Sequence, residues 1–289
     1  MSLSVQEFEQ LEAQACELRK LTVDTVLWAN GGHIGGSLSA SDILTIVYRR
    51  YMRYDSARPD WPERDRFVLS KGHIGVGFAP LLATLGFFDA ELLKTYNHTH
   101  SSLGMHLDRN KVPGLDASTG SLGHGLGMAL GMALSARLQK QDSKIFCLLG
   151  DGECDEGSVW EAAMAIAHYK AGNVIPIVDR NRCMIDGPTE QVMRLEPFAD
   201  KWRAFGFVVQ EVDGHDFYQL AAALDMALAD SSQPVVIIAN TFKGAGIALM
   251  QDNYKYHYAS VDQAMAGQCK ADIDAYHAAR LQKKERNNG

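Results

Sequence analysis

The apolar positions of the chain fall into two alternating periods. Phe8, Leu11, Ala15, Leu18, Leu21, Thr22 and Thr25 recur at helical spacing with charges between them, which predicts an amphipathic helix over residues 5–28. Asn30-Gly31-Gly32 stops it, and Ser39 and Ser41 are expected to cap a second helix through Ile43, Ile46 and Val47. His33 is then left on a flexible loop flanked by Gly31-Gly32 and Gly35-Gly36. Further on, residues 67–69, 144–149, 173–178, 207–212 and 235–239 are short apolar runs that read as buried strands. Residues 126–138, 156–170, 198–205 and 217–228 read as the helices between them, one of which is expected to begin just after Gly152. Strand and helix alternate, so the expected fold is α/β with a mostly parallel sheet flanked by helices, as one domain over residues 1–289. Pro176 is awkward in a central strand and implies either a bulge or an unpaired nitrogen side. The loop 53–66, with Pro59 and Pro62, reads as surface, and 97–116 as irregular. Segments 241–246 and 253–258 look mobile, and 280–289 reads as a polar, frayed tail.

Composition narrows this picture. With 289 residues and 46% hydrophobic content, the chain can bury one large core. No stretch has the roughly 18 apolar residues of a membrane span, and the first residues are polar and acidic, so nothing marks the chain for export. The five cysteines, Cys16, Cys147, Cys154, Cys183 and Cys269, are odd in number and contain no CxxC, which suits reduced thiols in a cytoplasm. A net charge of −7 argues against nucleic acid as a partner.

The chemistry gathers at the ends of two predicted strands. Gly150-Asp151-Gly152 ends one, and Asp179-Arg180-Asn181-Arg182-Cys183 ends the next, thirty positions after Asp151 in the case of Asn181. If the strands are parallel neighbours, both ends lie at the edge where such sheets bind ligands. Asp151 offers a carboxylate, Asn181 an amide oxygen and the Cys183 backbone a carbonyl, which are hard ligands for Mg²⁺ or Ca²⁺. One carboxylate alone holds Mg²⁺ weakly, so phosphate oxygens are implied as further ligands. Gly-Asp-Gly by itself is also the sequence of an ordinary tight turn. Ser70-Lys71-Gly72-His73 places a hydroxyl, an amine and an imidazole at another strand end, a turn able to bind an anion. The glycine-rich stretch 118–125 enters a helix of small residues suited to close packing. His98, His100 and His106 invite a zinc reading, but no cysteine or HExxH partner lies nearby.

Gly-Asp-Gly followed about thirty residues later by Asn resembles the thiamine diphosphate motif. Ala29-Asn30-Gly31-Gly32-His33, Asp65 through His73, 118–125, 150–187 and 241–257 together look like the N-terminal, diphosphate-binding half of transketolase, over nearly all of the chain. The resemblance implies that Asp151, Asn181 and the Cys183 carbonyl hold the metal. It implies that His73, Gly120, Ser121, Leu122, Gly152, Asn181 and His257 contact thiamine diphosphate, and that His33, His106 and His257 handle sugar hydroxyls. Imidazoles suit that work, since near neutral pH they donate to hydroxyls and move protons. The sequence departs from the family at His124, where Gln is frequent, at Met105 and Leu107 around His106, and at Tyr258, where Gly is frequent. The pyrimidine-binding and C-terminal domains have no counterpart here. The resemblance therefore implies a split transketolase, in which this chain forms a homodimer within a heterotetramer and a partner supplies the activating glutamate and the sugar-phosphate clamp. Deoxyxylulose-phosphate synthase-like and 2-oxoacid dehydrogenase-like enzymes share the metal motif, and a non-catalytic cofactor-binding subunit is a further alternative. A nicotinamide oxidoreductase would need a glycine fingerprint that this chain lacks.

Overall fold

Five apolar runs line up as a wholly parallel sheet. The structure is a computed structural model and describes residues 3–230 and 232–288. Strands β1 (Arg66–Leu69), β2 (Ile145–Gly150), β3 (Val174–Arg180), β4 (Val208–Asp213) and β5 (Val235–Asn240) are ordered β1-β2-β3-β5-β4. Every neighbouring pair is parallel. Because side chains alternate across a strand, Phe67, Phe146, Leu148, Ile175, Ile177 and Ile237 enter one apolar layer, and Val68, Cys147, Leu149, Val178 and Ile238 enter the other. Helices α1 (Val5–Trp28), α2 (Ile34–Ile46), α3 (Gly75–Thr84), α8 (Phe217–Ala229) and α9 (Gln263–Asn288) cover the first face. The second is covered by α4 (Gly125–Leu138), α5 (Gly157–His168) and α7 (Phe198–Ala204), with the short α6 (Thr189–Val192) before α7. Burial of one large aliphatic side chain is worth about 1.5–3 kcal/mol, so both faces hold each strand in register. Among the described residues no helix is long and apolar enough to cross a membrane.

Local chemistry explains the boundaries. Ser4 and Glu7 form a reciprocal capping box at the start of α1. Asn30, at φ +54°, turns the chain after it in the left-handed conformation that asparagine tolerates. The register also resolves Pro176. It pairs across from Cys147 of β2, while the β3–β5 ladder begins one residue later at Ile177, so no bulge is needed. The Asp179 carbonyl faces β2, where it accepts from Asp151 N at 3.3 Å, so strand alternation turns the nitrogen of Pro176 towards β5.

Several expectations need correction. Ser39 and Ser41 do not cap α2. The helix starts at Ile34, and both serines are buried in its middle, with their hydroxyls turned back to the carbonyls of Gly36 and Ser37. Gly35 is helical and serves close approach, since a Cβ there would lie 2.6 Å from the Tyr256 carbonyl oxygen. His33 therefore sits at the N-cap of a buried helix, not on a flexible loop. A 3₁₀ turn, Gly152–Asp155, follows Asp151, and α5 begins only at Gly157. Of the two stretches expected to be mobile, 241–246 is packed, with Thr241, Lys243 and Ala245 buried, whereas 253–258 is half-buried or exposed throughout. Arg280, placed at the start of a frayed tail, is instead held by Glu12 and Asp42, and α9 continues past it.

Candidate active site

The carboxyl ends of β1, β2, β3 and β5 deliver four loops to one edge of the sheet. Gly150 pairs with Asp179, so Asp151 and Asn181 leave neighbouring strands at the same level. Asp151 is 2% exposed, and its carboxylate is oriented by two backbone donors, Gly152 N at 2.9 Å on Oδ1 and Arg182 N at 2.6 Å on Oδ2. The Gly152 N–H expected to meet a diphosphate is thus already engaged. Burial pushes the Asp151 carboxyl up, while the Arg180 guanidinium, 3.1 Å from Oδ2, opposes that shift. Asn181 Oδ1 accepts from Cys183 N at 3.1 Å. The Cys183 carbonyl accepts from Lys243 Nζ at 3.1 Å. The carboxylate, amide and carbonyl thus lie at one end of the sheet. Among the described residues no three His, Cys, Asp or Glu side chains form a metal cluster. Burial raises the Cys183 and Cys154 thiols, so neither is poised as a nucleophile.

The histidines singled out in the sequence also come together. The His33 ring lies 5.2 Å from His73, 5.2 Å from His257 and 6.3 Å from His106, and His73 stacks on His257 at 5.2 Å. His106 is exposed at the rim and touches the glycine-rich loop, since a Cβ at Gly120 would meet its ring at 2.7 Å. Ser121 and Leu122 follow on the outer side of that loop, and His124 Nδ1 lies 3.1 Å from the Leu122 carbonyl. Burial foremost, with nearby cations and imidazoles, lowers His33 to about 4, His257 to about 3, and His73 well below its ordinary value. These rings are neutral at pH 7. An ammonium has only donors, so Lys243, 3.0 Å from His257 Nδ1, fixes that nitrogen as the acceptor and leaves the ring proton on Nε2. Burial lowers Lys243 to about 8, with Lys71 adding repulsion.

Three groups hold the edge together in roles that the sequence reading did not foresee. Asp179, which shares the strand end with Asn181, turns inward. Its carboxylate accepts from Lys71 Nζ at 2.5 Å, Ser39 Oγ at 2.6 Å and the Thr241 hydroxyl, which joins β1, α2, β3 and β5. Burial disfavours its charge, but the Lys71 ammonium and these donors hold the carboxyl below its ordinary value. Glu153, also buried, accepts from the Ser70 hydroxyl, Gly123 N and Gly150 N, tying three glycine-rich loops together. Lys243 is the third. A cation just past a strand end and before Gly244-Ala245-Gly246 repeats the plan of Lys71-Gly72, and that was the available signal. A cavity of about 580 Å³ lined by Phe8, His215, Tyr218, Phe242, Tyr276 and Arg280, on the β4 side, contains none of the expected site residues.

A parallel sheet whose carboxyl edge carries an oxygen-rich turn, neutral imidazoles and two lysines defines an α/β domain of the diphosphate-binding class. Residues 11–278 match the family model described as transketolase, thiamine diphosphate binding domain, and the chain belongs to the transketolase family. It is 39% identical over 264 residues to the 6-deoxy-6-sulfo-D-fructose transketolase subunit SqwG of Clostridium sp. (strain MSTE9), covering 91% of this chain and 96% of that protein. It is 39% identical over 252 residues to an apulose-4-phosphate transketolase subunit of Phocaeicola vulgatus, covering 87% and 89%. The crystal structure of transketolase from Campylobacter jejuni superposes with a TM-score of 0.87 at 31% identity, over 92% of this chain but only 43% of that one. The chain thus has the length of the subunit relatives and less than half that of the single-chain enzyme.

Proposed function

We propose that this chain is the cofactor-binding subunit of a two-chain transketolase. With thiamine diphosphate, Mg²⁺ or Ca²⁺, and a partner subunit bringing the pyrimidine-binding domain, it transfers a two-carbon ketol unit from a ketose to an aldose. The observation that carries this reading is the convergence of Asp151, Asn181 and the Cys183 carbonyl with four histidines at one sheet edge, in a chain as long as relatives named as subunits. The free cysteines support a cytoplasmic setting. Both relatives are named for a sugar with an anionic group, which supports a phosphorylated or sulfonated ketose as donor.

The residues fit the implied groups. One carboxylate, one amide oxygen and one carbonyl suit a hard divalent cation whose remaining ligands are water and phosphate oxygens. Asp151, Asn181 and Cys183 would hold that cation, and His73, Gly120, Ser121, Leu122, Gly152 and His257 would border the cofactor. Lys243 adds a positive charge beside the Cys183 carbonyl. Thiamine diphosphate, when bound, supplies the carbanion stabilisation that no side chain here provides. The chain's own contribution is orientation and proton handling. His257 presents Nε2–H as a donor to a sugar hydroxyl, with Lys243 fixing its tautomer. His33 Nδ1 is buried and has no hydrogen-bond partner among the described residues, and the ring, neutral at pH 7, can accept a proton from a hydroxyl as a C–C bond breaks. His106, at the rim, reaches the outer part of the substrate.

The test is calorimetric titration of the chain assembled with its genomic-neighbour subunit. Asp151→Ala is expected to lose Mg²⁺ and thiamine diphosphate binding together. Unchanged cofactor affinity would overturn the assignment. In a ketol-transfer assay of the same complex, His33→Ala and His257→Ala are each expected to lower turnover by about 10². His33→Ala should preserve cofactor binding better, since only His257 is assigned to the diphosphate as well.

A further inference from the structure

We propose that Arg180 sets the affinity of the cation site, by sharing the Asp151 carboxylate so that a divalent ion binds weakly until a diphosphate accompanies it. This rests on the metal reading above. Arg180 is the last residue of β3, and its side chain is 2% exposed. Its Nη1 donates to Asp151 Oδ2 at 3.1 Å and to Thr189 Oγ1 at 3.0 Å. Its Nη2 donates to Glu196 at 2.9 Å and Glu190 at 3.3 Å, and the guanidinium lies 5.3 Å from the Phe198 ring centroid. Four oxygen partners and one ring fix the group. It therefore cannot swing away when an ion arrives without breaking contacts to the 189–196 segment.

Orientation of Asp151 does not require this arginine, because Gly152 N and Arg182 N already hold both carboxylate oxygens. What Arg180 adds is charge. It offsets the burial of Asp151 when no ion is present. A guanidinium stays protonated at any pH the protein meets, so a divalent ion on Asp151 always faces a fixed positive neighbour across a buried carboxylate. A second cation, Lys243, lies at the Cys183 carbonyl. Two of the three proposed ligand oxygens are thus partnered by protein cations. A metal ion arriving alone displaces or opposes both, whereas a metal ion bound to a diphosphate brings negative charge that both attract.

The measurement is Mn²⁺ binding to the full chain by electron paramagnetic resonance, with and without thiamine diphosphate, and Mg²⁺ binding by calorimetry. Arg180→Gln removes the charge and keeps polar contacts to Thr189 and the glutamates. It is expected to tighten Mn²⁺ binding in the absence of cofactor by about tenfold or more, by the size of a single buried charge interaction. Arg180→Lys, which keeps the charge, is expected to bind Mn²⁺ as the wild type does. Arg180→Met serves as a second neutral variant should Gln misfold. Neutral variants that bind Mn²⁺ no tighter than wild type, while Asp151→Ala abolishes binding, would overturn the role of Arg180 and leave the metal site standing. Wild-type Mn²⁺ binding by Asp151→Ala would overturn the site, and the inference with it.

Discussion

Burial, the His106 imidazole and the Lys243 ammonium all disfavour a proton on His33, and its pKa falls to about 4. The expected consequence is that proton NMR of the ring shows no titration between about pH 5 and 8. A midpoint near the ordinary value of about 6.5 would contradict this packing. Stability is linked to the same shift. Between about 6.5 and 4 the unfolded chain binds more protons at this histidine than the folded one, so its contribution is complete above the unfolded value and is lost as pH falls through that window. Asp151 and Glu153, raised by burial, act with the opposite sign. The measurement is therefore a comparison of wild type with His33→Gln, whose unfolding free energy should fall less steeply on acidification. At this scale the sequence was partly legible. Glycine-flanked histidines and the Asp151–Asn181 spacing pointed to the site. Lys243, Glu153 and Arg180 did not, because each acts through partners far apart in the chain, such as Gly123 for Glu153 and Asp151 for Arg180.

Elements were legible where one period held for several turns or one apolar run stood alone. Helix α1 and the central strands follow their patterns closely, since a two-faced apolar environment demands the runs seen in β2 and β5. The start of α2 was hidden because Gly35-Gly36 reads as a break by propensity, whereas tertiary contact with Tyr256 requires glycine there and the helix continues through it. The same override governs α9. Its polar end looked like a tail, but Arg280 reaches Glu12 of α1 at 2.7 Å and Asp42 of α2 at 2.8 Å, while His277 lies 2.6 Å from Glu12. Glu12 and Asp42 are 1% and 0% exposed. Removing one partner of such a group leaves buried charge short of compensation. Arg280→Ala is expected to destabilise the chain by about 3 kcal/mol in urea unfolding. A loss below about 1 kcal/mol would mean that Arg19 and His215 alone satisfy Asp42.

In the whole molecule, the sheet edge gathers the proposed metal ligands and the imidazoles. The chain's relatives of equal length are named as subunits, and the structure it superposes on is more than twice as long. The α4–α5 side carries exposed small and apolar residues, and self-association is predicted there. Among the described residues, and apart from the helix's own backbone, nothing lies within 4 Å of a Cβ built at Gly127 or Gly131, and Met128, Leu138 and Met164 are 41%, 84% and 58% exposed. Small residues beside exposed apolar ones let a second backbone approach closely and bury that surface. The expected outcome is that the purified 289-residue chain sediments as a dimer or larger species and shows no ketol transfer alone, with activity appearing when the partner is added. Asp151→Ala in the reconstituted complex controls for turnover by a contaminating enzyme, since it should abolish the activity. Robust turnover by the chain alone, sensitive to that substitution, would show that it assembles a complete site from its own copies and that no second kind of chain is required.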